Sequence, residues 1–148
     1  MFTNILIPTD GSALSAKASS RAIELAKAFK AKATVVLVSP TFRQLTDEGF
    51  VGPMVSVSKR EWEKGVAERA RTVLDAVVTE AIEAGVKCDT AHVYRDSPHL
   101  AIIDTAKKNG CDLIVMGSHG YGGFKQLMLG SETMRVLSHS KVPVLVYR

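Results

Sequence analysis

Cysteine is scarce: the 148 residues contain two, Cys88 and Cys111, and they form no CxxC pair. Each stands in or beside an apolar run, which predicts buried free thiols rather than a disulfide or a metal pair. The four histidines, His92, His99, His119 and His139, show no ligand spacing such as HExxH. A metal centre built only from protein side chains is therefore not expected. Aromatic residues make up 6% of the chain and are not interleaved with basic ones, so a stacking platform for single-stranded nucleic acid is missing. The net charge of +4 favours anionic partners in general, yet no run of five basic residues occurs. The scattered charges read as solvated helix faces, and nucleic acid is not an expected partner. No apolar stretch approaches the roughly 20 residues that cross a bilayer. The opening MFTNILIPTDGS carries neither a basic leader nor a small-residue cleavage site, which does not suit a signal peptide. The expectation is a soluble cytoplasmic protein without membrane insertion.

What the chain does have is alternation. Apolar runs at 4–8 (NILIP), 33–39 (ATVVLVS), 112–117 (DLIVMG) and 142–147 (VPVLVY) are nearly continuous in apolarity, as strands covered on both faces should be. A fifth run, 86–94 (VKCDTAHVY), alternates more and reads as a strand nearer an edge. Helical spacing fills the intervals. The first helix covers about 12–29, with Ala18, Ala22, Leu25, Ala26 and Phe29 on one stripe. The second covers about 59–84, opened by a Ser58/Glu61 capping box, stopped by Gly85 and striped by Trp62, Val66, Ala70, Val73, Val77 and Ala81. The third begins at Ser97-Pro98 and ends at Asn109-Gly110; the fourth runs from Ser131 to about His139. The order β-α-β-α-β-α-β-α-β predicts a single α/β domain over residues 1–148, an open five-stranded parallel sheet with helices on both faces. The connection 40–57 is long and irregular, suited equally to a lid over a ligand and to a plain solvent loop.

In such sheets ligands bind beyond the carboxyl ends of strands, where the strand order reverses. With the first strand central and beside the fourth, two sequence-distant loops face one crevice. One is Pro8-Thr9-Asp10-Gly11-Ser12. The other is the segment after the fourth strand, which holds Gly117, Gly120, Gly122, Gly123 and Gly130. Ordered glycine costs backbone entropy, so the cluster needs a reason. The Walker pattern GxxxxGK[ST] is absent, and GxGxxG fails at Lys125. What remains is Gly117-x-x-Gly120, nine residues, then Gly130-Ser131. Such a loop presents backbone N–H groups to an anion with no Cβ in the way, and a helix N-terminus follows at once.

These residues resemble the universal stress protein family, whose ATP-binding branch carries G-x-x-G-nine residues-G-[ST]. The opening ILIPTDGS and the ending HSKVPVLVYR are similar to the family's two ends, so the likeness spans the chain. The resemblance implies a Rossmann-like sheet of the adenine nucleotide alpha hydrolase kind, with strand order 3-2-1-4-5. It also implies an adenine nucleotide ligand: ATP, with AMP and ADP as alternatives, together with Mg²⁺. Carried over by position, Pro8, Thr9 and Asp10 line the adenosine side, Asp10 helping to hold it or a metal-bound nucleotide. Val38 meets adenine through its main chain. Met116, Gly117 and Gly120 line ribose and the first phosphates, and Gly130, Ser131 and Thr133 take the outer ones. His119 lies at the mouth. Without the resemblance, Asp10-Gly11 is also ordinary turn chemistry and Val38 an ordinary core residue.

Glu132 departs from the pattern, standing where the family often has a small apolar residue. A carboxylate in a helix's first turn favours the helix but repels phosphate bound there. Pointing outward it costs little; pointing inward it weakens the grip on terminal phosphates or calls for a bridging Mg²⁺. No catalytic constellation is legible, so the expected activity is slow ATP hydrolysis at most. The resemblance further implies a homodimer through the edge strand 142–148 (VPVLVYR), and a regulator of the stress response that acts on an unidentified protein partner. Two other readings stay open: a partner-binding module with a vestigial nucleotide site, and a nucleotidyl- or phosphoryl-transfer enzyme on the same fold.

Overall fold

The computed structural model describes residues 1–42, 58–119 and 129–148. Gly120 and most of the 40–57 connection lie outside the described residues. Five parallel strands form one sheet: β1 (Asn4–Pro8), β2 (Lys32–Ser39), β3 (Cys88–Tyr94), β4 (Leu113–Gly117) and β5 (Val144–Tyr147). Their spatial order is β3-β2-β1-β4-β5. Among the described residues four helices connect them: α1 (Ala13–Phe29), α2 (Lys59–Glu83), α3 (Pro98–Lys108) and α4 (Ser131–His139). The fold class, the strand order and all nine elements agree with the sequence reading.

The apolar runs are continuous because successive residues serve opposite faces. Ile5, Ile7, Val35, Leu37, Leu113 and Val115 pack with Ala22, Ala26, Leu74 and Val77 of α1 and α2. Leu6, Val36, Ile114 and Met116 pack with Ile102, Ala106 and Val136 of α3 and α4. β3 lies at one edge and has exposed residues along its length. β5, at the other edge, begins two residues later than its apolar run suggests. Pro143 has no N–H to give, but its carbonyl accepts from Ile114 N at 2.9 Å just before the strand.

Local signals set the boundaries. The Ser58/Glu61 capping box is present, and Gly85 stops α2 at φ 76°. The stripe of α2 needs one correction. Its buried residues are Ala70, Leu74, Val77 and Ala81, whereas Trp62, Val66 and Val73 are half-buried. Trp62 meets Phe42 instead, with ring centroids 5.5 Å apart. The reason is position: α2 packs over β2 and the edge strand β3, and its first buried residue is Ala70. Cys111 is buried and Cys88 half-buried, both as free thiols. Burial pushes both thiols up, so neither is a ready nucleophile.

Asp112, just before β4, anchors the start of β1. Its carboxylate accepts from Thr3 N at 2.8 Å, Thr3 Oγ1 at 2.8 Å and Asn4 N at 3.0 Å. Partial burial alone would push this carboxyl up, but the bonds from Asn4 and Thr3 outweigh it and hold it below the usual range. A depressed carboxylate adds stability above its unfolded pKa of about 3.9 and loses it as pH falls through the folded value. Asp112→Asn is expected to cost about 1–2 kcal/mol at neutral pH. Urea denaturation at pH 7 and below pH 4 checks this: the gap between variant and parent should close in acid, and a constant gap would rule the charge out.

Candidate functional site

A cavity of about 440 Å³ opens where the carboxyl ends of β1 and β4 diverge. The β1 side supplies Pro8, Thr9 and Asp10, and β2 supplies Val38. From β4 and the residues after it come Met116, Gly117 and His119. The start of α4 adds Gly130, Ser131, Glu132 and Thr133. All the candidate residues read from the sequence that lie among the described residues thus line one cavity.

Four lining residues escaped that reading: Ser15, Val36, Pro98 and Ile102. Val36 lies two positions before Val38 and so shares its face. Pro98 and Ile102 are four apart on α3, one turn of the same stripe. That spacing could have exposed the pair, had α3 been placed beside the crevice. Ser15 lies in α1, its hydroxyl 3.2 Å from that of Thr9.

Short polar ties hold the loops in place. Thr9 N donates to Val36 O at 2.9 Å, fixing the loop after β1 on β2. Asp10 Oδ1 accepts from Ser12 N at 2.8 Å, and Ser12 Oγ accepts from Ser15 N at 3.2 Å to cap α1. On the far side, Gly130 N donates to Ser118 O at 2.7 Å and Thr133 Oγ1 to Gly117 O at 3.0 Å. These two bonds fold the start of α4 back against the end of β4. Ser118 N also donates to Tyr147 O at 2.8 Å, tying the same loop to the edge strand.

Gly130 is the N-cap of α4 and so brings no side-chain oxygen to the first-turn N–H groups. Those donors and the positive end of the helix are left for an outside acceptor. A Cβ at Gly130 would come within 3.1 Å of Ser118 O and 3.4 Å of His119 Cα. Both are backbone atoms, so a side chain here would fit only if the backbone gave way by a few tenths of an ångström. Beside it, His119 Nδ1 is 2.9 Å from Ser118 Oγ, while its Nε2 is buried with no hydrogen-bond partner among the described residues. A buried polar nitrogen of this kind calls for a partner. Val36, Val38, Ile102 and Met116 make the opposite wall apolar. The cavity therefore pairs an apolar wall with a helix N-terminus, and its size suits a small molecule. Among the described residues no group of three or more His, Cys, Asp or Glu is placed to hold a metal ion. None of the described helices is long and apolar enough to cross a membrane.

Comparison with known proteins agrees with this architecture. The protein YxiE of Bacillus subtilis, a universal stress protein, is 34% identical, with all of both chains covered. MJ0531 of Methanocaldococcus jannaschii is 36% identical over all of this chain and 83% of its own. The solved structure of MJ0577, from the same archaeon, superimposes with a TM-score of 0.78 at 30% identity, covering 99% of this chain and 95% of that one. A universal stress protein solved in complex with cAMP gives a TM-score of 0.71 at 26% identity, with 99% and 97% covered. The model of the universal stress protein family matches residues 1–148 throughout. With sheet order, length and family model in agreement, the chain belongs to the universal stress protein family.

Proposed function

We propose that the cavity is an ATP site and that the protein is a nucleotide-dependent regulator of the stress response, with AMP and ADP as further ligands. One observation carries the reading: two sequence-distant loops, 8–10 and 130–133, converge on one cavity with an apolar wall and an unfilled helix N-terminus. The relative solved with cAMP supports an adenine nucleotide as the ligand class. The residues present suit one. Val36, Val38 and Met116 offer an apolar slot for the base, with Val38 contributing its main chain. Gly117, Gly120, Gly130, Ser131 and Thr133 serve the phosphates, and His119 Nε2, which has no partner among the described residues, is a further partner for a phosphate oxygen. Mg²⁺ would be held through those phosphates, with Asp10 of the cavity lining available on the adenosine side. Bound metal would supply charge neutralisation; the protein's residues bind and orient.

The same reading takes residues 1–148 as one domain of a cytoplasmic homodimer paired through strand residues 142–148. Leu145 of that strand is 40% exposed, and Met134 and Leu137 of α4 are exposed as well, an apolar edge suited to a second copy. Sizing a chain truncated before residue 142 checks it, and a dimer that survives would exclude this interface. Dedicated catalysis is not part of the reading. Turnover faster than about 1 per second would favour a transfer enzyme instead.

Calorimetric titration with ATP and Mg²⁺ tests the central point. Micromolar binding by the purified protein is the expected result. Absence of binding by the folded protein would leave a partner-binding module with a vestigial site.

A further inference from the structure

Glu132 lies in the first turn of α4 and lines the cavity. Its sequence position leaves its direction open; its partners do not. Oε2 accepts from the backbone N–H of His99 at 2.8 Å and lies 3.2 Å from His99 Nδ1. Oε1 accepts from Arg135 Nη1 at 2.6 Å. His99 is the second residue of α3, whose N-cap Ser97 makes no side-chain cap bond. Glu132 therefore supplies from α4 the cap that α3 lacks. A carboxylate holding an otherwise unpaired helix N–H cannot swing away without leaving that donor bare. Its side chain is 33% exposed, against 55% for Arg135. The acidic charge is thus the less screened of the two, and the arginine offsets only part of it.

We propose that Glu132 is a charge filter at the phosphate end of the cavity. It admits adenine monophosphates and metal-bound triphosphates and disfavours metal-free triphosphates. This rests on the nucleotide reading above and names the ligand class within it. The residue is held across the rim by His99 and Arg135, so the part of its charge that Arg135 does not offset meets an arriving ligand. Metal-free ATP carries more negative charge than AMP and places the excess at its outer phosphates, toward the first turn of α4. A divalent cation chelated by those phosphates would cancel part of that charge. The repulsion thereby becomes a dependence on metal.

The test is a set of calorimetric titrations of wild type and Glu132→Gln with AMP and with ATP, each in Mg²⁺ and in EDTA. Glutamine keeps the shape and an acceptor oxygen for His99 N, so the link between α3 and α4 is retained while the charge is removed. In wild type, removing Mg²⁺ is expected to weaken ATP about tenfold more than AMP. In Glu132→Gln that excess should vanish. The same excess in both proteins would overturn the filter. So would a uniform loss for both nucleotides with and without metal, which would mark Glu132 as a cap alone. If wild type binds neither nucleotide in either buffer, the nucleotide reading fails and the filter falls with it. Binding with an unchanged metal dependence sinks the filter only.

Discussion

Gly130→Val should weaken nucleotide binding about 100-fold while leaving the protein folded. Any side chain at this position begins with a Cβ 3.1 Å from Ser118 O and 3.4 Å from His119 Cα. These atoms belong to the backbone just beyond β4 and cannot rotate aside. Valine adds two methyl groups to that clash, so the Gly130–Ser118 contact at 2.7 Å must open. The first turn of α4 then moves away from β4, and the donors offered to an anion lose their common focus. A hydrogen bond to a charged group contributes about 1.5–3 kcal/mol. Losing one such bond corresponds to roughly ten- to hundredfold in affinity, since each 1.4 kcal/mol is tenfold. Gly65→Ala is the control. Gly65 lies within α2 with nothing within 4 Å of an added Cβ, so alanine should stabilise by about 0.5–1 kcal/mol through helix propensity and leave binding intact. Titration and circular dichroism on both variants decide. Unchanged affinity in folded Gly130→Val would remove the α4 turn from the phosphate site.

Asn4→Ala should destabilise the fold by about 3 kcal/mol. Asn4 opens the central strand and is 2% exposed. Its Nδ2 donates to Asn109 O at 2.9 Å beyond the end of α3, and its Oδ1 accepts from Thr34 Oγ1 at 3.1 Å on β2. One side chain thus joins β1 to the neighbouring strand and to a helix on one face. Thr34 is 1% exposed, so solvent cannot take over the lost bond. Alanine leaves partners unsatisfied and opens a small void, and these costs add. For a chain of this size the melting temperature should fall by about 6–12 °C. A double-mutant cycle with Thr34→Val isolates the Asn4–Thr34 bond. Strict additivity would show that this bond contributes nothing and that the loss lies elsewhere.

The periodic signals were legible because each depends on few neighbours in the chain. NILIP and DLIVMG read as doubly covered strands, and Ile5 and Leu6 do face opposite helix layers. Ser58 with Glu61 marked a helix end through local hydrogen bonding, and Pro98 and Gly85 did so through allowed φ. Trp62 and Val66 were placed in the core of α2 because helical period says which face is apolar. It does not say where the underlying sheet stops.

The sequence by itself determined the element order, the continuity of the core strands and the glycine-rich approach to α4. It also pointed to the two loops that meet at the strand-order switch, since parallel β-α-β connections leave few other arrangements. Only the tertiary structure decided that Pro98 and Ile102 close the cavity and that Glu132 caps the neighbouring helix from across the rim. It alone showed that Asp112 holds Thr3 and Asn4, more than a hundred positions away. Those contacts join elements whose separation in the chain carries no period and no cap signature. They exist because the two helix layers and the sheet settle at one packed distance, and a string of residues does not display that distance.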